Sequence, residues 1–467
     1  MKWMRQTENT AQALGICLRL LESNKSYSVR NTAAATFRQA VALIFDRVVT
    51  AESLPSEKFK FASGVHMSRS NSVTSDITRN ITHLKSLEQE FTSGTSLLMR
   101  NTLTKAGKLG LILLEDLASL AASGSANWLG VSSLQRTFVL DILEFILSNY
   151  VVLFRTLIPY EEVLRHQICS ILMTSLRTDS EFEGETGEPY FRRLVLRSVA
   201  HVIRLYSSLL ITESEVFLSM LVSAINLDLP LWHRILVLEI LRGFCVEAHT
   251  LRILFQNFDM NPKNTNVVAS MVESLARVVS SIQFQDTCEE SLEAVAGMFT
   301  GVEWSLDSDA SNTAVLVASE AHAVTLANEG LLGIVFAVAT LTDEAVDVGE
   351  LESPRFEVGP PTKCTGKTAM LCTSMVDSMW LTILDALSFI LTKSQGEAIV
   401  LEILKGYQAF TQSCGVLRAV EPLNSFLASL CKFTIGIPNE VERRRYMLPS
   451  LDPTCTLGLL LLTIPLL

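Results

Sequence analysis

The sequence predicts an all-α protein, more narrowly a HEAT/armadillo-like α-solenoid of paired antiparallel helices. Apolar residues make up 48% of the 467 residues and charged residues only 19%. The chain holds 22 Gly and 13 Pro, which is few for a sheet protein that needs frequent turns. Apolar residues recur at helical spacing in segments of about 15 to 20 residues, and pairs of segments recur every 35 to 45 residues or so, as in helical repeat proteins.

Composition argues against several classes of function. The net charge of −11 leaves no overall positive field, so we expect no binding to nucleic acid. The nine Cys include no CxxC pair and the seven His no HxH or HExxH, so we expect no metal and no cofactor. The amino terminus lacks the apolar core of a signal peptide. No apolar run reaches the roughly 20 residues that span a bilayer; the tail 456–467 comes nearest. The chain is predicted to be cytoplasmic.

The amino-terminal segment, residues 1–52, is predicted to form an antiparallel helix pair over 9–23 and 28–52. The second helix has an apolar stripe at the spacing of one helix face: Ala33, Phe37, Val41, Ile44 and Val48. A helix pair buries one face and needs a neighbour for the other. Because only eight residues precede this pair, we expect the chain to begin part-way through an array and to be a fragment.

The rest of the chain is divided by composition. Residues 53–104 are predicted as a linker with partial helix, residues 105–285 as a helical domain, residues 286–341 as continuing helices, residues 342–365 as a linker, residues 366–435 as further helices and residues 436–467 as a divergent tail. A helix is predicted at about 83–122, broken near Gly94, and it runs from the linker into the helical domain. The other predicted helices of that domain are 132–149, 159–176, 189–210, 213–226, 230–247, 249–257 and 264–283. The acidic segment 177–188 between two of them is predicted as an exposed loop.

A basic stripe lies on the predicted helix 189–210. Its members are Arg193, Arg197, His201 and Arg204, opposite an apolar face. The simpler interpretation, favoured about two to one, is a solvated face that pairs with the acidic loop before it. The alternative is a docking stripe for an acidic partner or an anionic lipid headgroup.

Catalytic motifs give no support for an enzyme. Residues 361–368 end in Gly366-Lys367-Thr368 like a phosphate-binding loop, but Pro361 stands where that loop needs a Gly, and no buried strand precedes it. Lys367 and Thr368 are therefore predicted to begin a helix. No paired nucleophile and base is found, so we predict a protein that is not an enzyme.

A short polar and aromatic box, Asn257-Phe258-Asp259-Met260-Asn261, lies where the chain turns between two strongly periodic helices. With Arg30–Gln39, it resembles sequences of the large Golgi Arf-exchange-factor relatives. In that family a box of Asn, Phe or Tyr, Asp, Cys and then Asp or Asn lies in the homology-upstream-of-Sec-seven (HUS) domain. Met260 replaces the Cys of the catalytic exchange factors, which is similar to the Mon-two branch, and the overall likeness is to plant members.

The resemblance implies domains and a role. Residues 1–52 resemble the second half of a dimerisation and cyclophilin-binding (DCB) domain, residues 105–285 a HUS domain, and 366–435 the start of the downstream helical region. The implied protein is a non-catalytic scaffold of Golgi-to-endosome vesicle transport, peripherally associated with trans-Golgi network and endosome membranes. Its implied partners are a Dopey-type protein and an Arf-like GTPase pathway, with self-association through the amino-terminal domains.

Three alternatives stay open at this stage. The chain could be the regulatory amino-terminal half of an exchange factor for an Arf-like GTPase, or a generic HEAT-type adaptor. The box itself could be a structural clamp, which we favour, or a surface that contacts the amino-terminal domain. Asn, Phe and Asp in a turn can serve either purpose, since their polar groups bond to backbone while the ring packs between helices.

Overall fold

The structure, a computed structural model, describes residues 2–22, 26–54, 99–132, 134–177, 188–227, 229–281, 320–351, 366–393 and 396–435. Within these ranges every regular element is a helix, and β pairing is confined to an isolated bridge between Ala126 and Val131. The predicted all-α fold class is confirmed. The chain divides into two compact units, residues 1–187 and 188–467, and each is described by itself.

The first unit begins with the predicted helix pair. Its described helices are α1 (Lys2–Glu22), α2 (Tyr27–Ala51), α3 (Lys105–Ala121), α4 (Arg136–Asn149), α5 (Val151–Thr156), α6 (Ile158–Val163) and α7 (Cys169–Leu176). All five apolar residues of the predicted α2 stripe are buried, since α2 packs between α1 and α3. The stripe therefore serves as predicted, as one face of a packed helix.

The predicted helix 159–176 differs from the observed one in two ways. A short helix, α5, precedes it and ends where Leu157 adopts an extended conformation before Pro159. Between α6 and α7 the chain makes a π-helical turn over Leu164–Ile168. The Cys169 N–H bonds to the Leu164 carbonyl, five residues back, which is the π pattern. Apolar periodicity does not report such a single wide turn.

The second unit contains the longer helices. They are α8 (Pro189–Tyr206), α9 (Ile211–Asn226), α10 (Leu231–Val246), α11 (Ala248–Asn257), α12 (Val267–Ser280), α13 (Glu320–Asp347), α14 (Lys367–Lys393), α15 (Glu397–Leu417) and α16 (Val420–Ile435). Lys367 begins α14, as predicted. The helix α13 runs to Asp347, into the predicted linker 342–365, because Thr342 and Ala345 continue its buried face.

The helices of the second unit stack in two layers. One layer runs through α8, α10, α13 and α15, and the other through α9, α12, α14 and α16. Helices that follow each other along the chain, such as α13 with α14 and α15 with α16, pack across the layers. This is the arrangement of a helical solenoid. The helix α13 lies at its centre and contacts α10, α11, α12, α14 and α15.

Several predictions lie outside the described residues. They are the loop within 53–98, the acidic loop over 178–187, the helices over 282–319, the linker over 352–365 and the divergent tail 436–467.

Two helices inside the described ranges, α13 and α14, are long and apolar enough to cross a membrane by length and composition. The expectation that no segment reaches this length is therefore wrong. In α13 the most apolar stretch of 18 residues is 72% buried. The helix α13 is therefore a core helix rather than a lipid-facing one.

A close approach of two backbones fixes α13 against α10 at Gly333. A Cβ at Gly333 would lie 3.1 Å from the Val246 backbone nitrogen and 3.2 Å from the Cys245 carbonyl carbon. Real Cβ atoms rarely come so near to backbone that cannot move aside. By contrast, a Cβ at Gly415 in α15 would meet nothing within 4 Å.

We expect Gly333→Ala to lower the free energy of unfolding by about 1–3 kcal/mol, because the added methyl overpacks a backbone contact. The matched control Gly415→Ala is expected to raise it by up to about 1 kcal/mol, the difference in helix propensity between the two residues. Urea denaturation followed by circular dichroism measures both. Equal stability of the two variants would contradict the close contact.

Candidate functional site

The box Asn257–Asn261 forms the turn between α11 and α12. The helix α11 ends at Asn257, and the Phe258 ring is fully buried. The Phe258 N–H donates to the Leu254 carbonyl at 3.0 Å, and the Met260 N–H donates to the Phe255 carbonyl at 3.0 Å. The aromatic ring thus anchors the turn in the core while the backbone closes the last turn of α11.

Asp259 caps a helix to which it does not belong. Its Oδ2 accepts from the Val268 N–H at 3.0 Å and its Oδ1 from the Ala269 N–H at 2.9 Å. These are N–H groups of the first turn of α12, which has no side-chain hydrogen bond from its own N-cap residue Asn266. A carboxylate at this place satisfies two donors and opposes the positive end of the helix dipole.

Asp259 is half-buried. Burial raises its pKa, and the hydrogen bonds from the Ala269 and Val268 N–H groups act in the opposite direction. The carboxyl group is therefore enclosed by the helix end that it caps. Its observed contacts are those of a clamp between α11 and α12.

The asparagines of the turn complete the clamp. Asn264 donates from Nδ2 to the Asn257 carbonyl at 2.7 Å, which satisfies an otherwise open carbonyl at the end of α11. Asn261 accepts at Oδ1 from the Lys263 N–H at 3.2 Å, a local side-chain turn. Met260 points outward, with 39% of its surface exposed. A role of the box residues in contacting a partner stays a prediction.

The box turn is also tied to α9. Glu215 Oε1 accepts from the Thr265 N–H at 2.8 Å and from the Thr265 hydroxyl at 2.7 Å. Sequence reasoning missed Glu215, which lies 50 residues before Thr265 in a helix whose polar face carried no distinctive signal. The turn is thereby bonded to two helices and to its own backbone.

The basic stripe of α8 is not a solvated face. Arg193 is only 7% exposed, while Arg197, His201 and Arg204 are half-buried. The expectation of an exposed stripe is wrong because α8 packs against both α9 and α10 and is enclosed on nearly every side. A docking role of Arg193, Arg197, His201 and Arg204 stays a prediction.

Arg204 shows how such a charge is accommodated. Its guanidinium lies 3.2 Å from the Glu247 carboxylate and 5.4 Å from the centre of the Phe244 ring. An ion pair combined with a cation–π contact compensates for the partial loss of water around the charge. The predicted pairing of the stripe with the acidic loop 178–187 lies outside the described residues.

Sequence analysis also missed a buried histidine beside a buried arginine. His233 and Arg192 are each 1% exposed. Burial and, to a smaller extent, the positive charge of Arg192 together lower the pKa of His233 to about 4. Burial likewise lowers the pKa of Arg192. The imidazole is therefore neutral near pH 7 and belongs to the core rather than to a binding surface.

Helix α2 contacts the neighbouring helices of the first unit through a polar and aromatic face. Arg38 pairs with Asp141 at 2.8 Å, and its guanidinium lies 4.8 Å from the centre of the Phe145 ring. The Tyr150 hydroxyl donates to the Ala42 carbonyl at 2.9 Å. The Phe45 ring packs against Tyr150 in a tilted arrangement, with 5.3 Å between ring centres. Residues 1–52 are thus joined to the following helical segment inside one compact unit.

No metal or catalytic centre emerges in the described part of the chain. No group of three or more His, Cys, Asp or Glu side chains there could hold a metal ion. The described cysteines are free thiols, and Cys169, Cys245, Cys372 and Cys414 are buried. Burial raises the pKa of the Cys245, Cys372 and Cys414 thiols. These thiols are therefore core residues rather than nucleophiles.

Comparison with known proteins places the box in a family context. A family model for the HUS domain of Mon2/Sec7/BIG1-like proteins matches residues 110–267, which include the box. A second model, the dimerisation and cyclophilin-binding domain of Mon2/Sec7/BIG1-like proteins, matches residues 5–52.

Similar proteins include three described as MON2 homologs. Those of Xenopus laevis and Drosophila melanogaster are each 24% identical, and that of Homo sapiens is 25% identical. Each alignment covers 91% of this chain but only 26% to 27% of the relative. The chain thus spans about a quarter of the length of these relatives. The expected plant origin stays a prediction.

We expect Asp259→Ala to lower the free energy of unfolding by about 1–2 kcal/mol, as for the loss of a helix cap. Asp259→Asn, which keeps one acceptor oxygen, is expected to lose less. Amide hydrogen exchange should accelerate at Val268 and Ala269, the two N–H groups that lose their acceptor. The control Glu273→Gln removes an exposed carboxylate from the same helix. Unchanged exchange at both amides in Asp259→Ala would contradict the clamp.

We expect His233 to make the protein less stable as the pH falls. Its folded pKa of about 4 lies below the ordinary 6.5, so between these values the unfolded chain binds a proton that the folded chain does not. At about 1.4 kcal/mol per pKa unit, the stability lost over this window is about 3 kcal/mol. Denaturation at pH 7, 5.5 and 4 should show a smaller pH dependence for His233→Gln.

The control His249→Gln removes an exposed imidazole from the same unit and corrects for the change in composition. An equal pH dependence in the parent and in His233→Gln would show that the buried imidazole does not titrate in this window.

Proposed function

We propose that this chain belongs to the Mon2 family and is a non-catalytic scaffold or regulator of Golgi-to-endosome vesicle transport. The observation that carries the proposal is the match of both a DCB and a HUS family model to the same chain, in the order and with the box expected. Alignment of MON2 homologs across 91% of the chain supports it. In the described residues the box makes structural hydrogen bonds, and no catalytic group accompanies it.

The domain assignment follows from the same proposal. Residues 1–52 form the carboxyl-terminal half of a DCB-like domain, and residues 105–285 form a HUS-like domain joined to it by the linker 53–104. Residues 366–435 begin the downstream helical region. The DCB match at 5–52 and the HUS match at 110–267 support the first two assignments.

The proposed partners are proteins. The matched amino-terminal domain type is named for dimerisation and cyclophilin binding, which supports self-association through residues 1–52. We further propose association with a Dopey-type protein and with an Arf-like GTPase pathway. The chain would act in the cytoplasm, peripherally attached to membranes of the trans-Golgi network and endosomes.

The second candidate is the regulatory amino-terminal part of an exchange factor for an Arf-like GTPase. The breadth of the matched family models, which include Sec7- and BIG1-like proteins, favours keeping it. Met260 at the Cys position of the box favours the scaffold. The two candidates differ in whether a nucleotide-exchange activity accompanies the chain.

We expect the 467-residue chain to leave GDP release from purified Arf and Arf-like GTPases unchanged, measured with a fluorescent nucleotide. In cells, the tagged chain should coincide with a trans-Golgi network marker. Asp259→Ala, with the matched control Glu273→Gln, tests whether an intact HUS-like domain is needed for this placement. A diffuse distribution of the parent chain would contradict the scaffold role, and accelerated GDP release would favour the exchange factor.

A further inference from the structure

A groove runs between the box turn and α14. It encloses about 310 Å³, at the small end of ligand-sized pockets. Its apolar part is formed by Phe255, Met260 and Ala269, and Asp259, Asn266, Ser374 and Ser378 add polar atoms. The two serines lie one turn apart on α14, so the helix forms one wall and the box turn the other.

The outer face of α14 continues this groove as a stripe. Residues at the spacing of one helix face are Met370, Ser374, Asp377, Ser378, Leu381 and Asp385. Met370 is 54% exposed and Leu381 is 55% exposed. Only 39% of the most apolar window of α14 is buried, against 72% for α13. The stripe thus exposes two large apolar side chains, Met370 and Leu381, between serines and carboxylates, and five of its six residues are exposed.

The charges along this stripe have one sign. The helix α14 begins with Lys367 and ends with Lys393. Its charged residues between these two are Asp377 and Asp385, and both are exposed. Asp259 lines the groove as well. A face that carries both exposed apolar side chains and carboxylates is complementary to a helix with large apolar side chains on one face and Lys or Arg beside them.

We propose that the groove and the α14 stripe bind a basic amphipathic helix of a protein partner. A large apolar side chain of that helix would enter the groove between Met260 and Ser374, while its cations face Asp377 and Asp385. From Met370 to Asp385 the stripe is about 22 Å long at 1.5 Å per residue. A partner helix of about four turns covers this length.

Other occupants fit these observations less well. An anionic membrane or a nucleic acid would be repelled by the carboxylates of the stripe. A second copy of this chain would have to offer a basic helix, and the described helix with the most arginines, α8, is largely buried. Charge complementarity therefore favours a basic protein helix.

Binding of a synthetic helix to the whole 467-residue chain tests the proposal. The probe is a fluorescein-labelled peptide of about 16 residues with Leu at i, i+4, i+7 and i+11 and Lys on the flanks, followed by fluorescence anisotropy. A peptide with Glu in place of Lys is the charge control. We expect saturable binding of the basic peptide, weakened by salt, and at least tenfold weaker binding of the acidic one.

Two variants test the residues. Ser374→Trp fills the groove and should weaken binding of the basic peptide at least tenfold. Asp377→Lys lies on the exposed surface and should weaken it about threefold to tenfold without changing the melting temperature. The matched controls are Ser223→Trp on α9 and Asp343→Lys on α13, both at exposed positions, and these should bind as the parent does.

Several results would overturn the proposal. They are equal binding of the basic and acidic peptides, binding unaffected by both Ser374→Trp and Asp377→Lys, or no saturation at millimolar peptide. Binding of the parent to phosphatidylserine vesicles that Ser374→Trp abolishes would assign the face to lipid. Self-association in sedimentation that the same variant abolishes would assign it to a second copy.

Discussion

The stacking of helices in this chain depends on carboxylates that accept hydrogen bonds from helix ends outside their own helix. Asp259 does this for α12. Glu350 does it for α14, where its Oε2 accepts from the Thr368 N–H at 2.8 Å and the Ala369 N–H at 3.1 Å. The first N–H groups of a helix have no partner inside it, so a carboxylate fixed in a neighbouring turn both satisfies them and sets where that helix begins.

The same device appears with threonine as the donor. Glu52 Oε1 accepts from the backbone N–H and the hydroxyl of Thr104, at 2.9 Å and 2.7 Å, just before α3. Glu215 bonds to both donors of Thr265 in the same way before α12. In each case a carboxylate from an earlier helix holds the approach to a later one. Helix order along the array is thereby coupled to specific polar contacts as well as to apolar burial.

The central helix α13 is positioned against α10 by ion pairs and by close backbone contacts at glycines. Along α13, Glu320 pairs with Arg234 and Glu329 with Arg242, both on α10. Gly330 and Gly333 let the backbone of α13 approach its neighbours closely. Burial raises the pKa of the Glu329 carboxyl, while Arg242 acts to lower it. The charged pairs lie at the border of the buried seam, where they fix the register of α13 against α10 without being taken fully out of water.

Periodicity predicted what depends on one helix at a time. The α2 stripe from Ala33 to Val48 was identified because its apolar residues share one face, and that face is buried. The helix bounds were close for the same reason. Periodicity could not predict that α8 is enclosed on nearly every side, because Arg193 and its neighbours look solvated until a second layer is placed over them. Nor could it predict Glu215 or Glu350, whose roles depend on contacts far away in sequence.

The box Asn257–Asn261 could be predicted in part from its sequence, while its contacts required the structure. Its residue types could be identified from sequence, and Phe258 and Asp259 do lie at a turn between two helices, but their partners Val268 and Ala269 become evident only in three dimensions. Met260 differs from Phe258 and Asp259 because it is exposed and lines the groove beside α14. A short motif can therefore hold two helices with its Asp and Phe while leaving its Met side chain at the surface. Met at that position shapes the outer surface of the turn and leaves the clamp contacts of Asp259 and Phe258 intact.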